Sequence, residues 1–122
     1  NEIKMVVLSA LLGLKHSSKE EVSVKINEFS ERRKLTQPPG ASMGSMFKNP
    51  ENDFAGRLIE AAGLKGTRIG NVEISTLHGN FFINHGETKA SDVLALIQLA
   101  QKTVKEKFNV ELELEVELVG NW

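Results

Sequence analysis

Two apolar patterns follow one another in the first part of the chain. Residues Ile3–Leu14 form a nearly continuous apolar run, which is typical of a buried strand. Residues Ser18–Arg33 instead carry apolar side chains at helical spacing, and Ser18 with Glu21 forms the capping box that starts a helix. The pattern therefore predicts a strand that leads through a short turn into an amphipathic helix.

The remaining residues alternate between loop, helix and strand patterns. Residues Thr36–Pro50 contain all three prolines and show no helical period, which predicts a long loop. Beyond it the patterns predict a helix at Phe54–Ala62, strands at Val72–Ser75 and Asn80–Asn84, a long helix capped by Ser91, and a half-buried strand at Val110–Val119. We expect an α+β fold: a single small domain in which a short mixed sheet packs against helices.

Bulk composition excludes several kinds of function. The chain has 122 residues, and its 15 basic and 16 acidic side chains give a net charge of −1. Such a chain produces no global field that would attract nucleic acid or an acidic membrane surface, and no apolar run is long enough to span a bilayer, so neither partner is expected. The sequence has no cysteine, and its three histidines are not spaced as metal ligands, so no metal is expected.

The loop at residues 44–50 carries the first candidate site. Ser45 follows a glycine, and Lys48 and Asn49 place a cation and an amide just downstream, a combination that suits a bound anion. A loop serine most often bonds nearby backbone. A serine nucleophile paired with one of the histidines, as in a small hydrolase, is an alternative function.

Other polar residues have ordinary interpretations when the sequence is taken by itself. Glu115 belongs to a row of four glutamates on one side of the last predicted strand, where a solvated surface is the simplest interpretation. Arg32, Arg33 and Lys34 lie at the C-terminal end of the first predicted helix, where cations complement the helix dipole. His78 lies in a predicted turn, where a polar side chain is commonplace.

Taken in order, the motifs resemble the C-terminal, substrate-binding domain of the UDP-N-acetylenolpyruvoylglucosamine reductase family. The resemblance extends from about Arg32 to Gly120. It depends on five segments that recur in sequence order: residues 44–50, 54–66, 68–75, 78–84 and 113–116. Two positions depart from the family pattern, because Leu114 and Glu117 stand where members usually have a proline and a basic residue.

The resemblance implies an activity and two catalytic residues. Members of this family are FAD-dependent NADPH oxidoreductases that convert UDP-N-acetylglucosamine enolpyruvate into UDP-N-acetylmuramate for peptidoglycan synthesis in the bacterial cytoplasm. Hydride passes from the flavin to C3 of the enolpyruvyl group. Ser45 matches the serine of the Gly-Ser-x-Phe motif and is implied to donate the proton to C2. Glu115 matches the glutamate of the last strand and is implied to polarise the substrate carboxylate.

The resemblance also implies contacts with the substrate. Lys48 and Asn49 match the Lys-Asn-Pro motif, and Asn49 resembles the position that binds the diphosphate–sugar part. A basic residue in the cluster Arg32, Arg33 and Lys34 is implied to contact the diphosphate, and the spacing does not choose among the three, although Arg33 and Lys34 are taken as the candidates. His78 lies in a turn that, in similar enzymes, faces the nucleotide end of the substrate.

The chain is expected to be an excised part of a longer protein. It opens almost directly into an apolar run, and no Gly-rich phosphate loop precedes Ile3. The resemblance implies that residues 1–15 end a flavin-binding region and that residues 16–122 form the substrate-binding domain. FAD and NADPH would then belong to the full-length enzyme, with the missing FAD-binding region as partner, and the chain alone is expected to be inactive. A stand-alone nucleotide-sugar-binding or interaction module is the alternative.

Overall fold

Three helices and a three-stranded sheet make up the fold of residues 6–120, which are the residues that this computed structural model describes. The helices are α1 (Lys19–Thr36), α2 (Ala55–Ala61) and α3 (Ala90–Phe108), and the strands are β1 (Arg68–Ile69), β2 (Val72–Ile74) and β3 (Phe82–Asn84). The predicted α+β class is confirmed. Within this part of the chain, no helix has the length and apolar character needed to cross a membrane.

The sheet has the order β1-β2-β3 and is antiparallel throughout, not mixed as the sequence predicted. Ile69 pairs with Val72, and Ile74 pairs with Phe82. The connections between the three strands are too short for the crossover that a parallel pair requires, so each strand must reverse direction. At the tighter connection Gly70 takes a φ of 54°, which glycine adopts without strain.

The core lies between the sheet and α3. The buried face of α3 consists of Leu96, Ile97, Ala100 and Val104. This face contacts β1, β2 and α2, and burial of each larger aliphatic side chain is worth roughly 1.5–3 kcal/mol. The predicted stripe is therefore confirmed, although Phe108 at its end remains 37% exposed. The helix begins two residues earlier than predicted, with Lys89 as its cap in place of Ser91, which lies in the first turn.

The predicted N-terminal strand is wrong for residues 6–14. They have no regular secondary structure, and Val6 and Leu11 are 80% and 101% exposed. A strand needs a neighbour to bond its backbone groups, and no described residue supplies one to this segment. The first residues of the prediction, up to Met5, lie outside the described part of the chain.

Helix α1 forms where the sequence predicted a helix, but it buries no side chain. Ser18 Oγ accepts a hydrogen bond from Glu21 N at 3.2 Å, and the Glu21 carboxylate accepts one from Ser18 N at 3.5 Å, which confirms the capping box. The apolar side chains Val22, Ile26 and Phe29 are 44%, 57% and 62% exposed. In this structure α1 is stabilised by its cap and its backbone hydrogen bonds, and not by packing of its side chains.

The C-terminal tail is extended, but it is not the strand that the sequence predicted. The alternation itself is present, because Leu112 is buried and the glutamates beside it are exposed. The tail bonds to the loop that carries Ser45, through a single bridge between Phe47 and Leu114. That loop is extended over only a few residues before Pro50, so one bridge forms in place of a ladder.

Candidate functional site

A cleft of about 390 Å³ opens between α2 and the turn that joins β2 to β3. It brings together three of the predicted site residues, Ser45, Asn49 and His78, from two motifs that are distant in sequence. Its lining also includes Phe54, Arg57 and Glu60. One hydroxyl, one amide and one imidazole thus share a single open cleft.

The buried side chain of Asn80 holds the segment that follows Ser45. Asn80 Oδ1 accepts a hydrogen bond from Phe47 N at 2.9 Å, and Asn80 Nδ2 donates one to Phe47 O at 2.7 Å. The backbone adds a bond from Met46 N to Asn80 O at 2.9 Å. Because Met46 and Phe47 are buried, the backbone next to Ser45 is fixed while Ser45 itself remains exposed.

Asn49 is oriented by a bond to the first residue of α2. Its Oδ1 accepts a hydrogen bond from Ala55 N at 3.1 Å. Only the oxygen of an amide side chain can accept, so this bond determines which way round the amide lies. The NH₂ group is then the end that is left to donate to a ligand, as contact with a phosphate oxygen requires.

His78 packs closely against its own turn and against α2. Its Nδ1 accepts a hydrogen bond from Asn80 N at 3.2 Å, and its ring meets Phe81 edge-on with the centroids 4.8 Å apart. Because Nδ1 accepts in this bond, the ring proton lies on Nε2, which is a donor. Gly56 makes room for the ring, since a Cβ at that position would lie 3.1 Å from His78 Cε1.

Arg57 is a cleft residue that the sequence analysis did not single out. Its Nε donates to Asp53 Oδ1 at 2.6 Å, and its Nη2 donates to Asp53 Oδ2. The bonds from Arg57, and after them the bond from Phe54 N, lower the pKa of Asp53 from 3.8 to about 2. The same pair raises the pKa of Arg57. The i,i+4 spacing of acid and base near the start of a predicted helix is the signal that points to this pair.

Glu115 and Lys48 lie beside the Ser45 segment but do not line the cleft. Glu115 N donates to Met46 O at 2.9 Å, which places this residue next to that segment, and its side chain is exposed. Lys48 Nζ lies 3.6 Å from the Glu113 carboxylate, and both charged groups are largely exposed, so this ion pair is weak. The structure thus brings the backbone of Glu115 close to the Ser45 segment without bringing its carboxylate into the cleft.

Arg33 and Lys34 lie on the last turn of α1 and do not line the cleft either. Arg33 Nε donates to Gln37 Oε1 at 3.0 Å, and Lys34 Nζ lies 2.6 Å from the Glu31 carboxylate. The two cations line depressions of their own at the C-terminal end of α1. The structure therefore does not group them with Ser45 and Asn49.

Comparison with known proteins identifies the family. The family model described as UDP-N-acetylenolpyruvoylglucosamine reductase, C-terminal domain, matches residues 34–119. The chain belongs to this family. The matched range agrees with the predicted range, which ran from about Arg32 to Gly120, so the resemblance seen in the sequence is confirmed.

Reductases of this family are similar over nearly the whole chain. The UDP-N-acetylenolpyruvoylglucosamine reductase of Chloroflexus aurantiacus is 48% identical over 117 residues, which cover 96% of this chain and 39% of that protein. The reductase of Caldicellulosiruptor bescii is 52% identical, and the match covers 99% of this chain and 40% of that protein. The chain therefore spans about two fifths of the length of these curated relatives.

A solved structure of a reductase has the same fold. The crystal structure of the UDP-N-acetylenolpyruvylglucosamine reductase of Thermus caldophilus matches with a TM-score of 0.69 at 45% sequence identity. The match covers 84% of this chain and 37% of the Thermus chain. The α+β architecture described above is thus shared with the reductase family, and the cleft lies on this shared fold.

Proposed function

We propose that this chain is the substrate-binding domain of an enzyme that reduces UDP-N-acetylglucosamine enolpyruvate to UDP-N-acetylmuramate in the bacterial cytoplasm. The observation that carries the proposal is the cleft in which Ser45, Asn49 and His78 meet. By resemblance these residues match motifs of the reductase family, and all three line the same cleft. Membership of the family supports the choice of reaction.

FAD and NADPH are assigned to the part of the enzyme that lies outside this chain. The cleft, at about 390 Å³, presents hydrogen-bond donors that suit one diphosphate-bearing ligand, and we assign it to the UDP-sugar. No side chain of the cleft is therefore assigned to the flavin, and residues 1–15 are proposed as the end of the flavin-binding region. In the complete enzyme, the flavin supplies the hydride that reaches C3 of the enolpyruvyl group.

Ser45 is proposed as the proton donor of the reaction. After hydride has added at C3, a C–H bond must form at C2 while the Ser45 O–H bond breaks. A general acid must be held within hydrogen-bond reach of the atom that it protonates. The Asn80 bonds fix the backbone next to Ser45, and Ser45 lines the cleft, which supports this role.

Glu115 is proposed to polarise the substrate carboxylate as the proton is transferred. Its backbone bond to Met46 places it beside the Ser45 segment. Within residues 6–120 it has no ion-pair partner, whereas Glu113 on the same side of the tail lies 3.6 Å from Lys48. That ion pair is exposed and weak, so the choice of Glu115 follows from its bond to Met46 and from the family motif.

The diphosphate–sugar part of the substrate is assigned to donors of the cleft. Asn49 presents its NH₂ group to this part, whereas His78, whose Nε2–H group is a donor, is proposed to contact the nucleotide end. Lys48, Arg33 and Lys34 are proposed as further contacts. These three cations lie outside the cleft lining, so they would meet parts of the substrate that extend beyond it.

Binding of a UDP-sugar to the isolated chain tests this proposal. UDP-N-acetylglucosamine is titrated into the wild type and Asn49→Ala by isothermal titration calorimetry. We expect the wild type to bind and Asn49→Ala to bind about 10- to 150-fold more weakly, since a hydrogen bond to a charged group is worth roughly 1.5–3 kcal/mol. Asn27→Ala, a change at an exposed residue of α1, is the matched control.

The same preparation tests the assignment of the cofactors. We expect the isolated chain to be colourless and to oxidise NADPH only after a flavin-binding region is added. A wild type that does not bind UDP-N-acetylglucosamine would contradict the assignment of the cleft. Flavin absorbance, or NADPH oxidation by the chain alone, would contradict the assignment of the cofactors.

A further inference from the structure

One cation belongs to the cleft without a role in the reaction described above. Arg57 lines the cleft beside Asn49 and His78, and its side chain is 57% exposed. A guanidinium carries five N–H groups, and two of them are bonded to Asp53. Three N–H groups are therefore left to bind a ligand.

The side chains of the cleft offer more hydrogen-bond donors than acceptors. Ser45, Asn49 and His78 each present a donor, and Arg57 adds three N–H groups. Glu60 also lines the cleft, and its carboxylate lies 3.1 Å from Lys65 Nζ, so its charge is matched, as the charge of Arg57 is matched by Asp53. The excess therefore lies in N–H and O–H donors and not in net charge. Such a lining favours an anion with several acceptor oxygens, and a phosphate group has these properties.

Asp53 fixes the guanidinium before any ligand binds. Its Oδ1 also accepts a hydrogen bond from Phe54 N at 2.7 Å, so the carboxylate is itself held to the backbone. A planar guanidinium that is held along one edge loses less conformational freedom when its other edge binds a phosphate. Asp53 therefore holds the guanidinium of Arg57 in place, with its unbonded N–H groups at the side of the cleft.

We propose that Arg57 is a specificity-determining residue of the cleft, which binds a phosphate of a nucleoside diphosphate, and that Asp53 is its positioning residue. The inference rests on the proposed function, because it takes the cleft to hold the diphosphate part of a UDP-sugar. Under this proposal, Arg57 is the group by which the cleft distinguishes a nucleoside diphosphate from the nucleoside alone.

Binding of UDP and of uridine to the 122-residue chain tests this inference. Amide chemical shifts in NMR spectra follow both ligands, since they report weak binding as well as tight binding. Arg57→Ala should weaken UDP binding about 10- to 100-fold, because it removes charge-assisted hydrogen bonds, and should leave uridine binding unchanged. Arg57→Lys keeps the charge but loses the planar fork, so its loss for UDP should be smaller.

Two further variants complete the test. Lys102→Ala removes a cation that pairs with Glu106 at i,i+4 on α3, and as the matched control it should bind UDP and uridine as the wild type does. Asp53→Ala frees the guanidinium, so its affinity for UDP should lie between those of the wild type and Arg57→Ala. If Asp53→Ala binds UDP as the wild type does, the positioning role of Asp53 is wrong.

The failure of this inference differs from the failure of the proposed function. If Asn49→Ala weakens UDP binding and Arg57→Ala does not, Arg57 has no part in phosphate binding, while the proposed function stands. If Arg57→Ala weakens UDP and uridine equally, it acts through the fold, and the inference is overturned. If the wild type binds no UDP, the proposed function fails and this inference fails with it.

Discussion

Replacing Asn80 with alanine tests how the segment that follows Ser45 is held. The change removes the two bonds that join the Asn80 side chain to Phe47 N at 2.9 Å and to Phe47 O at 2.7 Å. Phe47 is only 1% exposed, so both backbone groups are left unpaired in a buried setting. Each such group costs roughly 1–3 kcal/mol, so the free energy of unfolding should fall by about 2–6 kcal/mol.

Urea unfolding followed by far-UV circular dichroism measures this loss, and an unchanged m-value shows that the surface exposed on unfolding is the same. Domains are typically stable by about 5–15 kcal/mol, so the urea midpoint should fall by a large fraction of its wild-type value. Asn52→Ala, at an exposed residue, is the control and should change stability by less than about 0.5 kcal/mol. A loss below about 1 kcal/mol for Asn80→Ala would refute the view that this side chain holds the segment.

Three further predictions concern charge and catalysis. The pKa of Asp53 is lowered from 3.8 to about 2, so its carboxylate stabilises the fold above pH 3.8 and this stabilisation is lost as the pH falls through 2. Asp53→Asn should therefore lower the urea midpoint at pH 7. If the difference between this variant and the wild type is as large at pH 2 as at pH 7, the Asp53–Arg57 pair is not the cause of the loss. In a complete enzyme, Ser45→Ala should block product formation and still let NADPH reduce the flavin, which stopped-flow absorbance measures; an equal loss of both steps would contradict the role of Ser45. Glu115→Gln should lower kcat by a factor of about 10² to 10⁴ with little change in KM, and Glu113→Gln should change neither, so the reverse result would show that the glutamate was assigned in the wrong register.

Elements with a local cause were predictable from the sequence. The capping box of α1 involves residues three apart, and the buried stripe of α3 follows from helical spacing alone. Burial and pairing of other segments depend on distant residues. The stripe of α1 therefore remained exposed, residues 6–14 formed no strand, and the tail bonded to a loop in place of the sheet.

The members of the candidate site were easier to predict than its geometry. The sequence predicted Ser45, Asn49 and His78 as site residues because each lies in a motif. The fold brings all three to one cleft. The bonds between Asn80 and Phe47 join residues that are 33 positions apart, and no local spacing rule covers them. The only signal for Arg57 in the sequence was Asp53 four residues before it. Such an acid–base pair most often stabilises a helix surface, so the sequence could not predict that Arg57 lines the cleft.

The bonds between the tail and the Ser45 segment set an order for assembly during translation. Residues 112–116 follow every helix and strand that the structure describes, and they leave the ribosome after all of these elements. The nascent chain can close α3 over the sheet while Met46 O still lacks its partner, Glu115 N. The loop that carries Ser45 is therefore completed only when the tail emerges, so a chain cut short before Leu112 would lose both a buried core side chain and the bond from Glu115 N to Met46 O.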